Sequence, residues 1–324
     1  MDDCQDLLPP WLRFVRGVVG CDDLSLNVSR EILQQNRQIQ AIRRHLVRRL
    51  TGALKEMKDE RAEKYRACWA EFGPVLKEGL LGLDDGQERI LELVLAPSTH
   101  NTAEPTSLGD YVTRMKEGQP GIYYLTGPSL AAVEHSPHLE AFRAKGYEVL
   151  FFTDPVDELW LRLPRELEGK PLVSTAKGDA SPASADEQKE TEAERREQEE
   201  DFKDLLLVLR AKLQDQVKDV RLSSRLTSSP ACLVGEAGDL SPRIAELLRR
   251  TGQETPAPKR ILELNPTHAL LPKLKAIVER DRTDPALEEY AELLYGQAIL
   301  AESGQLPDPV AFSRRIADLL LRVV

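Results

Sequence analysis

Apolar residues recur at three- and four-residue steps through Ile39, Ile42, Leu46, Val47, Leu50 and Leu54, which predicts an amphipathic helix over 38–58. Ahead of it, the alternating run 12–19 predicts a strand and 20–29 a loop. Ser29 is placed to cap a helix, with Glu31 in its first turn. Residues 60–116 read as helices with short breaks, over 64–71, 74–79, 87–95 and 108–115. A β-α-β-α rhythm follows: strand 122–125, helix 129–144, strand 149–152 and a short helix 156–163, with Gly146 as a helix stop. Strands joined by a crossover helix pair in parallel through a right-handed connection.

The pattern then lapses. Residues 174–201 hold no Val, Ile, Leu, Met, Phe, Tyr or Trp and turn acidic from Asp186, so the segment predicts a linker or the start of an exposed helix. Periodicity returns from Phe202, with a helix to Leu213, strands 217–226 and 231–234, helix 242–250 and strand 260–264. Three helices close the chain, over 271–279, 285–302 and 309–323, the last two joined by a short connection typical of antiparallel neighbours. The expected fold class is α/β followed by α+β, ending in a helical hairpin. The expected domains are 1–58, 59–173 and 202–324, with 174–201 between them. A lone strand and helix in 1–58 cannot close a core, so its sheet partners are expected ahead of Met1.

Composition narrows this picture. A chain of 324 residues with 41% hydrophobic and 30% charged residues suits two or three soluble, helix-rich domains, and 5% aromatics implies aliphatic cores. A net charge of -10 argues against a general nucleic-acid binder. The local basic run 37–49 fits either a solvated helix face or an anionic contact. Four scattered cysteines, Cys4, Cys21, Cys68 and Cys232, suit reduced thiols rather than disulfides or zinc. No secretory core and no apolar run of membrane-spanning length is present, so a cytoplasmic location away from membranes is expected. His135 and His138 have metal-pair spacing, but Pro137 interrupts them and no further ligand completes a set. No metal is expected. Thr126-Gly127-Pro128, after the first strand of the β-α-β-α segment, is no glycine-rich phosphate loop, which weakens a degenerate nucleotide-binding transferase as the rival function.

Specific segments carry a resemblance. Residues 12–19 and 24–36, then 111–119, 122–125, 136–140, 217–222, 263–266 and 297–301, resemble in the same order the middle and C-terminal parts of the ninety-kilodalton heat-shock chaperones, bacterial HtpG type. The resemblance covers essentially the whole chain. It implies a truncated middle domain with a small parallel βαβ subdomain, then a mixed α+β dimerisation domain. It also implies that ATP and Mg are held by an N-terminal domain outside this sequence. The chain is therefore expected to bind no cofactor and to be no enzyme by itself, although the full-length family hydrolyses ATP.

Site residues follow from the matched motifs. Arg30 corresponds to the arginine that reaches the terminal phosphate of that ATP, and Gln34 to the glutamine in the same contact. A guanidinium suits this task because its charge is permanent and its donors form a rigid fork. Leu240, Ile244, Leu247 and Leu248 form one helical stripe, either an ordinary core face or the family's client-contact helix. The second client region is the matching Glu158, Leu159 and Trp160. The family has its aromatic one position earlier, so Trp160 faces either clients or the core. Leu293, Leu294, Ile299, Phe312, Ile316, Leu319 and Leu320 are expected to pair two copies in a four-helix bundle. The expected partners are thus a second copy and unfolded or partly folded client proteins. The alternative to a working chaperone half is a stand-alone scaffold or dominant-negative dimerisation module.

Overall fold

The computed structural model describes residues 7–20, 37–82, 86–178, 182, 185–236, 238–250, 252 and 259–323. The helices are α1 (Arg37–Glu60), α2 (Ala62–Lys77), α3 (Gln87–Leu91), α4 (Leu108–Arg114), α5 (Leu130–Glu134), α6 (Glu140–Ala144) and α7 (Asp157–Trp160). They continue with α8 (Ala185–Lys212), α9 (Pro242–Arg250), α10 (Leu270–Arg280), α11 (Ala286–Ser303) and α12 (Pro309–Val323). The strands are β1 (Leu95–Ala96), β2 (Thr106–Ser107), β3 (Ile122–Thr126), β4 (Leu150–Phe152), β5 (Glu166–Leu167), β6 (Lys170–Ser174), β7 (Val217–Leu222), β8 (Ala231–Val234) and β9 (Arg260–Leu264). The fold is mixed α/β, with small sheets and no closed barrel among the described residues.

Two compact units result. The first gathers 1–97, 101–113 and 154–169; the second gathers 98–100, 114–153 and 170–324. The division does not fall at 174–201, because α8 starts inside that stretch and runs into the second unit's core.

In the first unit, Leu12, Leu76, Leu80 and Trp160 are fully buried, and the Tyr65 hydroxyl donates to the Leu93 carbonyl at 2.6 Å. The expected strand 12–19 does not form. Pro10–Leu12 is a 3-10 turn, and Phe14 stacks on Phe72 with ring centroids 4.4 Å apart. Among the described residues no strand lies beside this segment, so its backbone finds no ladder; Leu12 is buried and Phe14 packs, while Val18 and Val19 stay exposed. The break expected before Pro74 is also missing: α2 runs through it to Lys77. The proline stands in the last turn, where one lost hydrogen bond costs little continuity.

The second unit holds two sheets. In the first, β3 is central, parallel to β4 on one side and to β6 on the other. This confirms the expected parallel β-α-β pair. Strand β6 was not foreseen; Pro171 within it and the polar stretch after it hid the signal. The helix expected over 129–144 is broken at Ser136, whose extended backbone precedes Pro137 and whose hydroxyl caps the His138 amide. In the second sheet, β9 is central, parallel to β7 and antiparallel to β8. Leu205, Leu209 and Leu213 of α8, with Leu271 and Leu274 of α10 and Leu287 and Leu294 of α11, bury their side chains with those of this sheet.

Candidate client-contact and dimer surfaces

Arg30 and Gln34 lie outside the described residues. The helix that follows them, α1, turns Ile39 and Leu54 inward and leaves Arg44, Arg48 and Arg49 exposed.

The segment after β4 is built around a buried ion pair. Lys77, only 4% exposed, donates from its ammonium to Asp154 Oδ2 at 2.8 Å and to Asp157 Oδ2 at 2.9 Å. The Asp154 amide donates to the same Asp157 oxygen, and the Trp160 indole N–H donates to Asp157 Oδ1 at 2.8 Å. Burial raises the Asp157 carboxyl, and the Lys77 charge opposes that rise. The open alternative at Trp160 thus falls on the core side: its ring is wholly enclosed, and Glu158 is buried too. Leu159 points outward at 37% exposure. Of the three residues proposed for clients in this turn, only Leu159 presents apolar surface.

Helix α9 starts where its sequence directs. The Ser241 hydroxyl accepts from the Ile244 amide at 3.2 Å, and Pro242 takes the first helical position, where its missing N–H costs nothing. Ile244 and Ala245 are buried, and Leu240 and Leu248 are half-buried. The backbone places Leu247 in the same helix. The helix therefore lies docked, with the centre of its apolar stripe inward.

What it docks on is the carboxyl edge of the parallel sheet. Arg243 donates to the carbonyls of Gly127 and Thr153, which follow β3 and β4, at 3.1 and 2.9 Å. Arg225 does the same after β6, donating to the carbonyls of Thr175, Lys177 and Gly178. Arg225 is buried and faces Glu263 at 3.1 Å. Glu263 also accepts from Arg221 and Ser223. Open α/β sheets hold ligands outside this edge; here two arginines occupy it.

Two further titratable groups lie in the second unit. Glu140 accepts from the amides of Thr227, Ser228 and Ser229 and from two hydroxyls. Partial burial alone would raise its carboxyl, but these donors outweigh it and hold it at about 2. His138 is fully buried, and that burial, with the charges of Arg225 and Arg260, pushes it down to about 3, so it is neutral near pH 7.

The C-terminal hairpin divides the expected dimer residues. Leu294 and Ile299, expected at a subunit interface, are buried in the second unit's own core. Leu293, Phe312 and Leu319 are half-buried, while Ile316 and Leu320 are exposed at 39% and 58%. Val310, on the same apolar stripe, is 62% exposed, and Leu321, which the stripe does not single out, is 79% exposed. Phe312 lies so close to Gly296 that a Cβ there would meet its ring at 2.6 Å. Arg322 pairs with Glu289 across the hairpin at 2.6 Å.

Among the described residues the structure thus combines small sheets, a strand edge occupied by two arginines, and apolar side chains carried outward on helices. The chain belongs to the Hsp90 family, whose Hsp90 protein profile matches residues 1–324. It is similar to the chaperone protein HtpG of Frankia casuarinae, 56% identical over 320 residues, covering 99% of this chain and 49% of that protein. The HtpG proteins of Salinispora tropica and Rhodococcus jostii are 53% and 52% identical over 324 residues, covering 100% of this chain and 51% and 50% of theirs. The chain thus spans about half the length of these curated relatives.

Proposed function

We propose that this chain supplies the client-contact and dimerisation surfaces of an HtpG-type, ATP-dependent chaperone. One observation carries the reading: α12 turns Val310, Ile316, Leu320 and Leu321 to solvent. An apolar helical face of this kind calls for a covering partner. A second copy is the simplest closed solution, pairing two α11–α12 hairpins in a four-helix bundle. Clients are contacted by Leu159 and by the α9 stripe of Leu240, Ile244, Leu247 and Leu248. Arg30 and Gln34 act on ATP held, with Mg, by a nucleotide-binding domain that these residues do not form. The rival transferase is disfavoured because Arg225 and Arg243 occupy the edge where its ligand would sit.

Replacing Leu320 and Leu321 together by Asp tests the dimer. Sedimentation of the doubly substituted chain should give a monomer with unchanged circular dichroism. A dimer of undiminished affinity would rule out this face.

A further inference from the structure

We infer that Arg243 is a positioning residue: a releasable clasp that decides whether α9 keeps its apolar stripe inward or offers it to an unfolded chain. This rests on the client role proposed above for the same helix.

The argument starts from the two arginines at the sheet edge, which do similar work at different cost of release. Arg225 is 4% exposed and faces the buried carboxylate of Glu263, so withdrawing it would strand a charge in the interior. Arg243 is half-buried and pairs with no carboxylate among the described side chains. Its Nη1 holds two carbonyls, those of Gly127 and Thr153, and water can take over both bonds when it leaves. The first clasp is permanent. The second is reversible.

Its acceptors suit that role. A Cβ at Gly127 would come within 2.4 Å of Val133 Cγ1, so this strand end presents bare backbone to the arginine. Helix α9, Pro242–Arg250, is too short to be stable when isolated. Its place depends on the Ser241 cap, the burial of Ile244 and Ala245, and Arg243. Lifting the helix would bring Ile244 out beside Leu240 and Leu248. A client's apolar segment could then reach Ile244, which the docked state keeps buried, together with the half-buried Leu240 and Leu248.

Arg243→Ala and Arg243→Lys in the full chain test this by amide hydrogen exchange and by aggregation of reduced α-lactalbumin, a permanently unfolded probe. In Arg243→Ala the amides of 244–248 should exchange about tenfold faster, the loss expected for charge-assisted hydrogen bonds. Exchange in β3 and β4 should not change, aggregation should be more strongly suppressed, and Arg243→Lys should restore most of both effects. Unchanged exchange over 244–248 would overturn the clasp. Acceleration spread through β3 and β4 would also overturn it, because Arg243 would then be a structural strut. Faster exchange confined to α9 with unaltered aggregation would uphold the clasp and overturn the client role of the helix.

Discussion

Trp160 and Ile244 are both buried, yet what keeps them inside differs. Trp160 is tied by its indole N–H to Asp157, whose charge is matched by Lys77 in a region with almost no solvent. Ile244 is held because a nine-residue helix is fastened at its N-terminal end by a serine hydroxyl and by an arginine on two carbonyls. The 154–160 turn is part of its unit's interior, so disturbing it disturbs the unit. The 240–250 segment is an attachment, and its release is a local event. The client surface proposed on α9 is of the second construction, one that can open and close without unfolding its unit.

The sharpest way to break this contrast is Asp157→Ala. It leaves Lys77 buried beside Asp154 alone, and removing one partner of a buried pair costs about 3–5 kcal/mol. Urea unfolding followed by circular dichroism should show the whole loss as a lowered midpoint. A loss below about 1 kcal/mol, the size of a single cap, would put the turn in the same class as the helix.

Much of this architecture is legible in the sequence, and the failures have definite causes. Helices α9 and α12 and strands β8 and β9 follow from period and punctuation, because Ser241-Pro242 and alternating or continuous apolar runs act locally. The 12–19 segment fails because strand pairing depends on neighbours, and alternation alone supplies none. The orientation of Trp160 fails for another reason. A one-residue offset on a single helical turn leaves both faces open until Asp157 and Lys77, 80 residues apart in sequence, are brought together. Arg243 was invisible because its acceptors are backbone carbonyls 116 and 90 residues away, and a carbonyl has no residue type to read. The division of Leu294 and Ile299 from Ile316 and Leu320 likewise needs the packed core, since all four sit on apolar helical stripes.

A smaller effect is expected at the cap of α9. Ser241→Ala removes the acceptor for the Ile244 amide and should cost about 1 kcal/mol. Because the helix is an attachment, that loss should appear as faster amide exchange within 242–250, with the global urea midpoint nearly unchanged. A midpoint shift as large as that of Asp157→Ala would erase the distinction between the two regions.

The smallest effect on stability, and the most direct comparison of the two client candidates, comes from Leu159→Ser and Leu248→Ser. Leu159 is 37% exposed and Leu248 half-buried, so each should change stability by less than about 1 kcal/mol. Their effects on suppressing aggregation of reduced α-lactalbumin should differ. Leu159 stands on a fixed turn, with its neighbours Glu158 and Trp160 buried, and no helix release adds a buried side chain to its surface. Leu248 belongs to a stripe that gains Ile244 when the helix lifts. Leu248→Ser should therefore weaken suppression several-fold more than Leu159→Ser. Equal losses would mean that a fixed leucine serves clients as well as a releasable stripe, and that detachment of α9 adds nothing to capture.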